Sequence, residues 1–477
     1  MISLCLRLAY PILLNFDGLY GQDPYAYFDY SRQLAHLFTQ GVPLGKFYYP
    51  LGFPLLGMFG FPLLVVAICG AVTCILCGAL AWEAATRLKF STRAAWLAAI
   101  SAWLILTVSP QNVQSGSVIM SDMPALCWAL FAAYALLRYE RGQRLGWLLL
   151  AAFAGALTAM TRFQYTLIAV PFGLYLLLIW RGVRLPHALA ALVIGLLTYA
   201  PQLVMTARTP EIIGNNLVIW NAGNIGAQTF ITGDGKHTYD EPNWQYYLLP
   251  VRSPYYVSGW LLPLALIGLL AASRSKIGWF LVLWSVSQYL FLAGIPVQNI
   301  RYPLIAFPPI AVLIGLGIAW IIENTNRLRI HPKFISPCLR AGCLVLLFIG
   351  VVQMLQTTDG LMYTFIDSKN RELAILDLLR ANIPETDATI YALDMIPAIQ
   401  HYLPYQTVQI YYETPDSIAT KRGLHPAYAL FNLYMMETQW RGRPVGRVYQ
   451  TIMEWGGWQS LGEVTGYTLF RRESEQR

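Results

Sequence analysis

Long apolar runs separated by short polar breaks fill the chain as far as residue 358. Apolar runs of about 18 residues or more, with few charges, are long enough to cross a hydrocarbon layer as helices. Such runs fall near 1–15, 60–84, 94–110, 121–138, 145–160, 164–180, 186–206, 257–273, 277–295, 303–322 and 338–356, and read as eleven spans. The first is short and is interrupted by Arg7. It lacks the basic start and small-residue cleavage site of a secretory signal, so it reads as a real but short or truncated span.

From about residue 359 the apolar runs end. The segment "RELAILDLLRANIP" places Leu373, Leu376, Leu379 and Ile383 on one helical face. "ATIYAL", "TVQIYYE", "AYALFNL" and "EVTGYTLFRR" read as strands, and "PAIQHYL" as a short helix. Strands alternating with short helices predict a partly parallel sheet. The expected fold class is therefore mainly α: a polytopic membrane helical bundle over 1–358, with a small extramembrane α/β domain over 359–477. Two outer loops, 16–52 and 207–256, break the bundle.

Composition agrees with a membrane protein: 56% of residues are hydrophobic and 12% charged, against about 25% charged in soluble proteins. Loop charges orient the bundle, since Lys and Arg concentrate on the cytoplasmic side. With loop 16–52 outside, the inside loops carry Arg87, Lys89, Arg93, Arg138, Arg141, Arg144, Arg181, Arg184, Arg274, Lys276, Arg327, Arg329 and Lys333. That is thirteen, against seven outside (Arg32, Lys46, Arg162, Arg208, Lys236, Arg252, Arg301). The net charge of +8 thus reflects topology; no basic cluster suits nucleic acid. The C-terminal domain and loop 16–52 share the extracytoplasmic side of the inner or plasma membrane. All seven cysteines lie in or beside apolar runs, which fits neither a disulfide framework nor zinc spacing. Cys74 and Cys77 read as packing residues within a helix.

The candidate chemistry starts in the first outer loop, "LYGQDPYAYFDYSRQL". Pro24 biases Asp23 towards an extended conformation. Asp23 is therefore expected on a rigid turn before an amphipathic helix whose Tyr27, Tyr30, Leu34 and Leu37 share a face. Its carboxylate is either a cap or solvated loop charge, or a general base at the lipid–water boundary. In "SDMP", Ser121 or Asp122 caps a helix with Pro124 in the first turn, and Asp122 is alternatively a group that orients an acceptor or holds a metal near the donor phosphate. Arg162 and Arg301 lie outside, against the charge bias. Either could merely snorkel to the interface. Alternatively they grip a phosphate and stabilise it as it leaves, with Tyr302 supporting them. Loop 207–256 is rich in aromatics that suit a membrane belt; Trp220 and Trp244, with Tyr25, are also candidate walls of a sugar groove. His237, Asp240 and Glu241 lack a second cluster that would make a metal site, and His36 and His401 take no role. There is no glycine-rich phosphate loop, GxSxG or HExxH.

Taken in order, "GQDPYAYFDY", "YYPLGFPLLG", "MSDMPALCWAL", "ALTAMTRFQY" and "QNIRYPLIAFPPIAVL" resemble the GT-C glycosyltransferases. The likeness is strongest to the family 39 type, which includes protein O-mannosyltransferases and the lipid A aminoarabinose transferase, and it covers roughly residues 1–322. The resemblance implies a sugar donor on polyprenyl phosphate, and a glycan, lipid or protein acceptor amid membrane lipids. It makes Asp23 the essential acid of the first outer loop, and implies inversion by a single displacement. Many relatives pair Asp with Glu in that loop, whereas here Pro24 follows Asp23 and the next acid is Asp29. No cofactor is certain, and a divalent metal is left open. The alternatives are a transporter or flippase of lipid-linked glycans, which wants charges at mid-membrane, and a polymerase or ligase, which wants its charged cluster in a large late loop.

Overall fold

The computed structural model describes residues 1–45, 47, 49–208, 220–232, 235–327, 335–424 and 426–473. Of the residues named above, Lys46, Arg329 and Lys333 lie outside the described residues, as does Tyr48 at the start of "YYPLGFPLLG". The chain divides into two compact units. The first comprises Met1–Asp17, Tyr30–Gln228 and Asp240–Met362; the second comprises Gly18–Asp29, Thr229–Tyr239 and Tyr363–Arg477.

The long helices are α1 (Ile2–Leu13), α2 (Gln22–Gln40), α3 (Pro62–Arg87), α4 (Thr92–Val108), α5 (Asp122–Gly142), α6 (Leu145–Thr161), α7 (Ala169–Leu178), α8 (Leu185–Arg208), α9 (Leu262–Ala272), α10 (Lys276–Ala293), α11 (Phe307–Arg327) and α12 (Ile335–Asn382). A helix stands at each of the eleven apolar runs. Five described helices, α3, α8, α10, α11 and α12, have the length and hydropathy for a crossing, while α1, α4, α6, α7 and α9 are apolar but shorter. The count that length and hydropathy fix is five, and eleven crossings stand as a proposal. Local chemistry sets the helix starts. Pro62 begins α3 where no intrahelical donor is needed. The Ser91 and Ser275 hydroxyls cap α4 and α10 by accepting from Ala94 N and Gly278 N.

Helix α11 is the centre of the first unit, 83% of its apolar window being buried. It meets α9 almost backbone to backbone. A Cβ on Gly268 would stand 1.8 Å from the Leu313 carbonyl oxygen, and one on Gly317 1.9 Å from that of Leu264. Without a side chain in the way, two helices in hydrocarbon gain close van der Waals contact. The charge that interrupts α1 is wholly buried. Arg7 donates to the Ser3 carbonyl at 2.7 Å and lies 3.4 Å from Cys74 Sγ. Where α3 and α5 end, Glu83 is buried and accepts from Arg87 at 2.8 Å and Arg138 at 3.0 Å. Arg87 also pairs with Glu140 at 3.2 Å.

The second unit holds a five-stranded sheet of β3 (Thr389–Ala392), β4 (Gln406–Gln409), β5 (Ala427–Asn432), β6 (Trp458–Val464) and β7 (Tyr467–Arg472), in the order β4-β3-β5-β7-β6. Strand β3 runs parallel to β4 and β5, and β7 runs antiparallel to β5 and β6. The sheet is therefore mixed, as the strand–helix alternation predicts. Helix α13 (Ile396–Tyr402) is the expected short helix, whereas α14 (Pro444–Glu454) was not expected. "EVTGYTLFRR" is not one strand. Thr465 and Gly466 both take positive φ, 50° and 82°, and turn the chain into a β6–β7 hairpin, as two-residue turns with that backbone do. A second hairpin, β1 (Thr229–Thr232) with β2 (Gly235–Thr238), lies in the segment expected to be loop.

Candidate active site

Helix α5 begins at Asp122, with Pro124 as its third residue. The expected cap is absent, because the Ser121 side chain makes no capping hydrogen bond to the first turn. The carboxylate is fully buried and turned to cations instead. Asp122 Oδ2 accepts from Arg162 Nη1 at 3.1 Å and lies 3.9 Å from Arg301 Nη1. Asp122 Oδ1 has no hydrogen-bond partner.

Arg162 follows the last turn of α6 with an extended backbone, φ −151° and ψ 117°, so its side chain leaves the helix cylinder. It also donates to Ser121 Oγ at 3.3 Å and lies over the rings of Tyr165 and Tyr302, at 5.7 and 5.3 Å. Arg301 precedes the short 3-10 helix Tyr302–Ala306. Asn299 Oδ1 accepts from its backbone N at 3.0 Å and from its Nε at 3.3 Å, and Nη1 also contacts Met120 Sδ. Arg162, Arg301, Asp122 and Tyr302 thus come together within the first unit. Two guanidiniums share one carboxylate. Arg301 is the open side of the group, 22% exposed against 7% for Arg162. An arginine fork so placed suits a phosphate oxygen.

Sequence reasoning missed three members of this cluster. Asn299 was passed over although it lies in "QNIRYP", and Ser121 was weighed only as a cap. Tyr165 is fully buried and its hydroxyl has no hydrogen-bond partner. No spacing rule marks it, since it reads as one more apolar-run aromatic.

Asp23 belongs to the second unit. Its expected setting is corrected. Helix α2 starts at Gln22, so Asp23 is helical and half-buried, not on an extended turn. Pro24 is tolerated because a first-turn residue has no intrahelical donor to lose. The turn is made one step earlier by Gly21, at φ 74°. The Asp23 carboxylate lies at the positive end of the helix dipole.

Tyr25 is fully buried, an anchor rather than a groove wall. Its hydroxyl donates to Glu372 Oε1 and receives Lys369 Nζ at 2.7 Å. Lys369 also reaches Glu372 at 3.1 Å and the Tyr402 hydroxyl at 3.0 Å, and the other Glu372 oxygen accepts from Gly21 N at 3.1 Å. Burial, then the charge of Glu372, push the Tyr25 hydroxyl far above its usual pKa, so it stays a donor. These bonds tie the first turn of α2 to α12 and α13. Lys369, Glu372 and Tyr402 were not foreseen. Their signal is the pair of charges at i, i+3 on α12, both turned inward. The other candidate groove aromatics, Trp220 and Trp244, are 42% and 45% exposed in the first unit.

No group of three His, Cys, Asp or Glu able to hold a divalent metal exists among the described residues. Asp122, the residue considered for that role, faces two cations.

The resemblance read from the sequence is borne out by two comparisons. Residues 43–205 match the family model described as dolichyl-phosphate-mannose-protein mannosyltransferase. The whole chain is similar in structure to ArnT from Cupriavidus metallidurans. For the apo crystal structure the TM-score is 0.64 at 14% identity, with 98% of this chain and 97% of that one covered. For the same protein bound to undecaprenyl phosphate it is 0.62 at 15% identity, with 99% and 98% covered. None of the curated protein sequences matches the chain.

Proposed function

We propose that this protein is an integral membrane glycosyltransferase that moves a sugar from a polyprenyl phosphate to an acceptor hydroxyl on the extracytoplasmic face, with inversion. The observation that carries the reading is the group formed by Arg162, Arg301 and Asp122. Two neighbouring guanidiniums support a role in neutralising a leaving lipid phosphate. The crystal structure of ArnT with undecaprenyl phosphate concerns that protein; the shared fold supports the same class of donor here.

In the proposed reaction, the Asp23 carboxylate takes the acceptor hydroxyl proton. The acceptor oxygen forms a bond to the anomeric carbon, and the bond from that carbon to the phosphate oxygen breaks. The electron pair leaves with the lipid phosphate, whose charge Arg301 and Arg162 stabilise. A phosphate leaving group needs charge stabilisation more than a general acid. Asp122 orients the two arginines. Trp220 and Trp244 are the remaining candidates for stacking on a sugar face.

The test is incubation of the purified protein with radiolabelled polyprenyl-phosphate sugars and candidate acceptors, monitoring release of the lipid phosphate. Asp23→Asn is expected to abolish transfer while expression and membrane insertion stay normal. Near wild-type turnover in that variant removes the base, and failure of the wild-type protein to release lipid phosphate from any such donor removes the function.

A further inference from the structure

Between α3 and α4, the outer surface of the first unit carries a groove of about 530 Å3. Ile75, Ala79, Trp82, Trp96, Ile100 and Trp103 line it, with Arg138 of α5 at one end. Ile75, Trp96 and Ile100 are more than half exposed, at 60%, 57% and 51%. The Trp82 and Trp96 rings stand 4.7 Å apart. Side chains lining an unfilled slot lack contact atoms on one side, and a flexible hydrocarbon chain supplies them.

The charges at the Arg138 end select the headgroup. Arg138 uses one nitrogen on Glu83 at 3.0 Å and lies over the Trp147 ring at 5.5 Å, with its side chain 36% exposed. Arg141, 61% exposed, stands 3.8 Å from the same carboxylate. The acids at this end are already engaged. Glu83 holds Arg87 and Arg138, Glu140 accepts from Arg87 and Tyr175, and Glu323 accepts from Ser91 N. The turn from α3 to α4 adds exposed Lys89 and Arg93. Cations therefore outnumber acids where a lipid headgroup would sit. An anionic headgroup gains there, whereas a zwitterionic one brings its own ammonium against them.

We propose that this groove is a binding site for an anionic diacyl phospholipid. Its acyl chain lies in the tryptophan-lined slot and its phosphate rests on Arg138 and Arg141. The site is separate from the Arg162–Asp122–Arg301 group and does not depend on the transferase reading.

The experiment titrates the full chain in detergent micelles with phosphatidylglycerol or phosphatidylcholine carrying brominated acyl chains, and reads tryptophan quenching. Phosphatidylglycerol is expected to quench at lower mole fraction. That advantage should be lost in Arg138→Gln/Arg141→Gln, and in the triple variant Trp82→Phe/Trp96→Phe/Trp103→Phe. Because Arg138→Gln also removes a partner of buried Glu83, Ala79→Phe serves as a second variant. It fills the slot, leaves every charge in place, and should remove the advantage as well. Equal quenching by both lipids in the wild-type protein overturns the proposal. So does a preference for phosphatidylglycerol that survives the triple variant or the filled slot.

Discussion

Arg162 donates to the Asp122 carboxylate at 3.1 Å, and both side chains are almost wholly withdrawn from solvent. Such a pair has lost its hydration, so each charge depends on the other. Asp122→Asn keeps the shape and removes the charge, leaving Arg162 buried with a neutral partner. Loss of one partner from a buried pair costs about 3 kcal/mol or more. The variant should unfold at lower denaturant in detergent, and its kcat/KM should fall. Wild-type stability together with wild-type kcat/KM would show that the pair neither supports the fold nor orients the arginines.

Arg301 is the more accessible of the two cations, and Asn299 holds it from two directions. Its planar fork matches a phosphate in a way that an ammonium does not. A charge-assisted hydrogen bond is worth about 1.5–3 kcal/mol. Arg301→Ala should therefore lower kcat/KM for the lipid-phosphate donor by about ten- to a hundredfold. Arg301→Lys should restore only a small part. Unchanged donor KM and kcat in Arg301→Ala removes the phosphate role.

Lys369 and Glu372 hold the first turn of α2 through Tyr25 and Gly21. Lys369→Met deletes the cation and leaves the Glu372 charge buried without its main partner. Amide hydrogen exchange over residues 21–29 should accelerate, since local opening sets exchange. If Asp23 is the base, kcat should drop while donor KM is held. Unaltered exchange in that segment means the turn does not depend on this cluster.

The helices were legible in the sequence because apolar runs of such length have few alternatives, and each of the eleven runs is helical. What the pattern could not show was which inward charges find each other. Asp122 and Arg162 lie forty residues apart, and only the packing of α5 on α6 joins them. Lys369 is a similar case, because its partners Tyr25 and Tyr402 come from distant segments. The start of α2 was misjudged for a local reason. The rule that a residue before proline is extended yields at a helix start, where proline costs no hydrogen bond. The β6–β7 hairpin was missed because threonine at Thr465 hides a turn that needs two positive φ values.

The second unit should lose stability in acid through Glu385. Its carboxylate is held below the usual glutamate value, chiefly because the Tyr428 hydroxyl donates to it at 2.7 Å; Arg471, at 3.0 Å, adds its charge against the opposing effect of burial. A carboxyl group whose pKa is lower in the folded state binds protons less readily there than in the unfolded chain. Its stabilisation is present in full above the unfolded value, near 4.5, and is lost as pH falls through the folded value. Tyr428→Phe removes the leading cause. The variant should be less stable than the wild-type protein at neutral pH, and the difference should vanish once both carboxyls are protonated. Thermal unfolding of the two proteins across the acid range, followed by a probe in the C-terminal sheet, measures this. A difference that persists unchanged below the folded value would assign the effect to lost packing of the tyrosine rather than to the carboxylate.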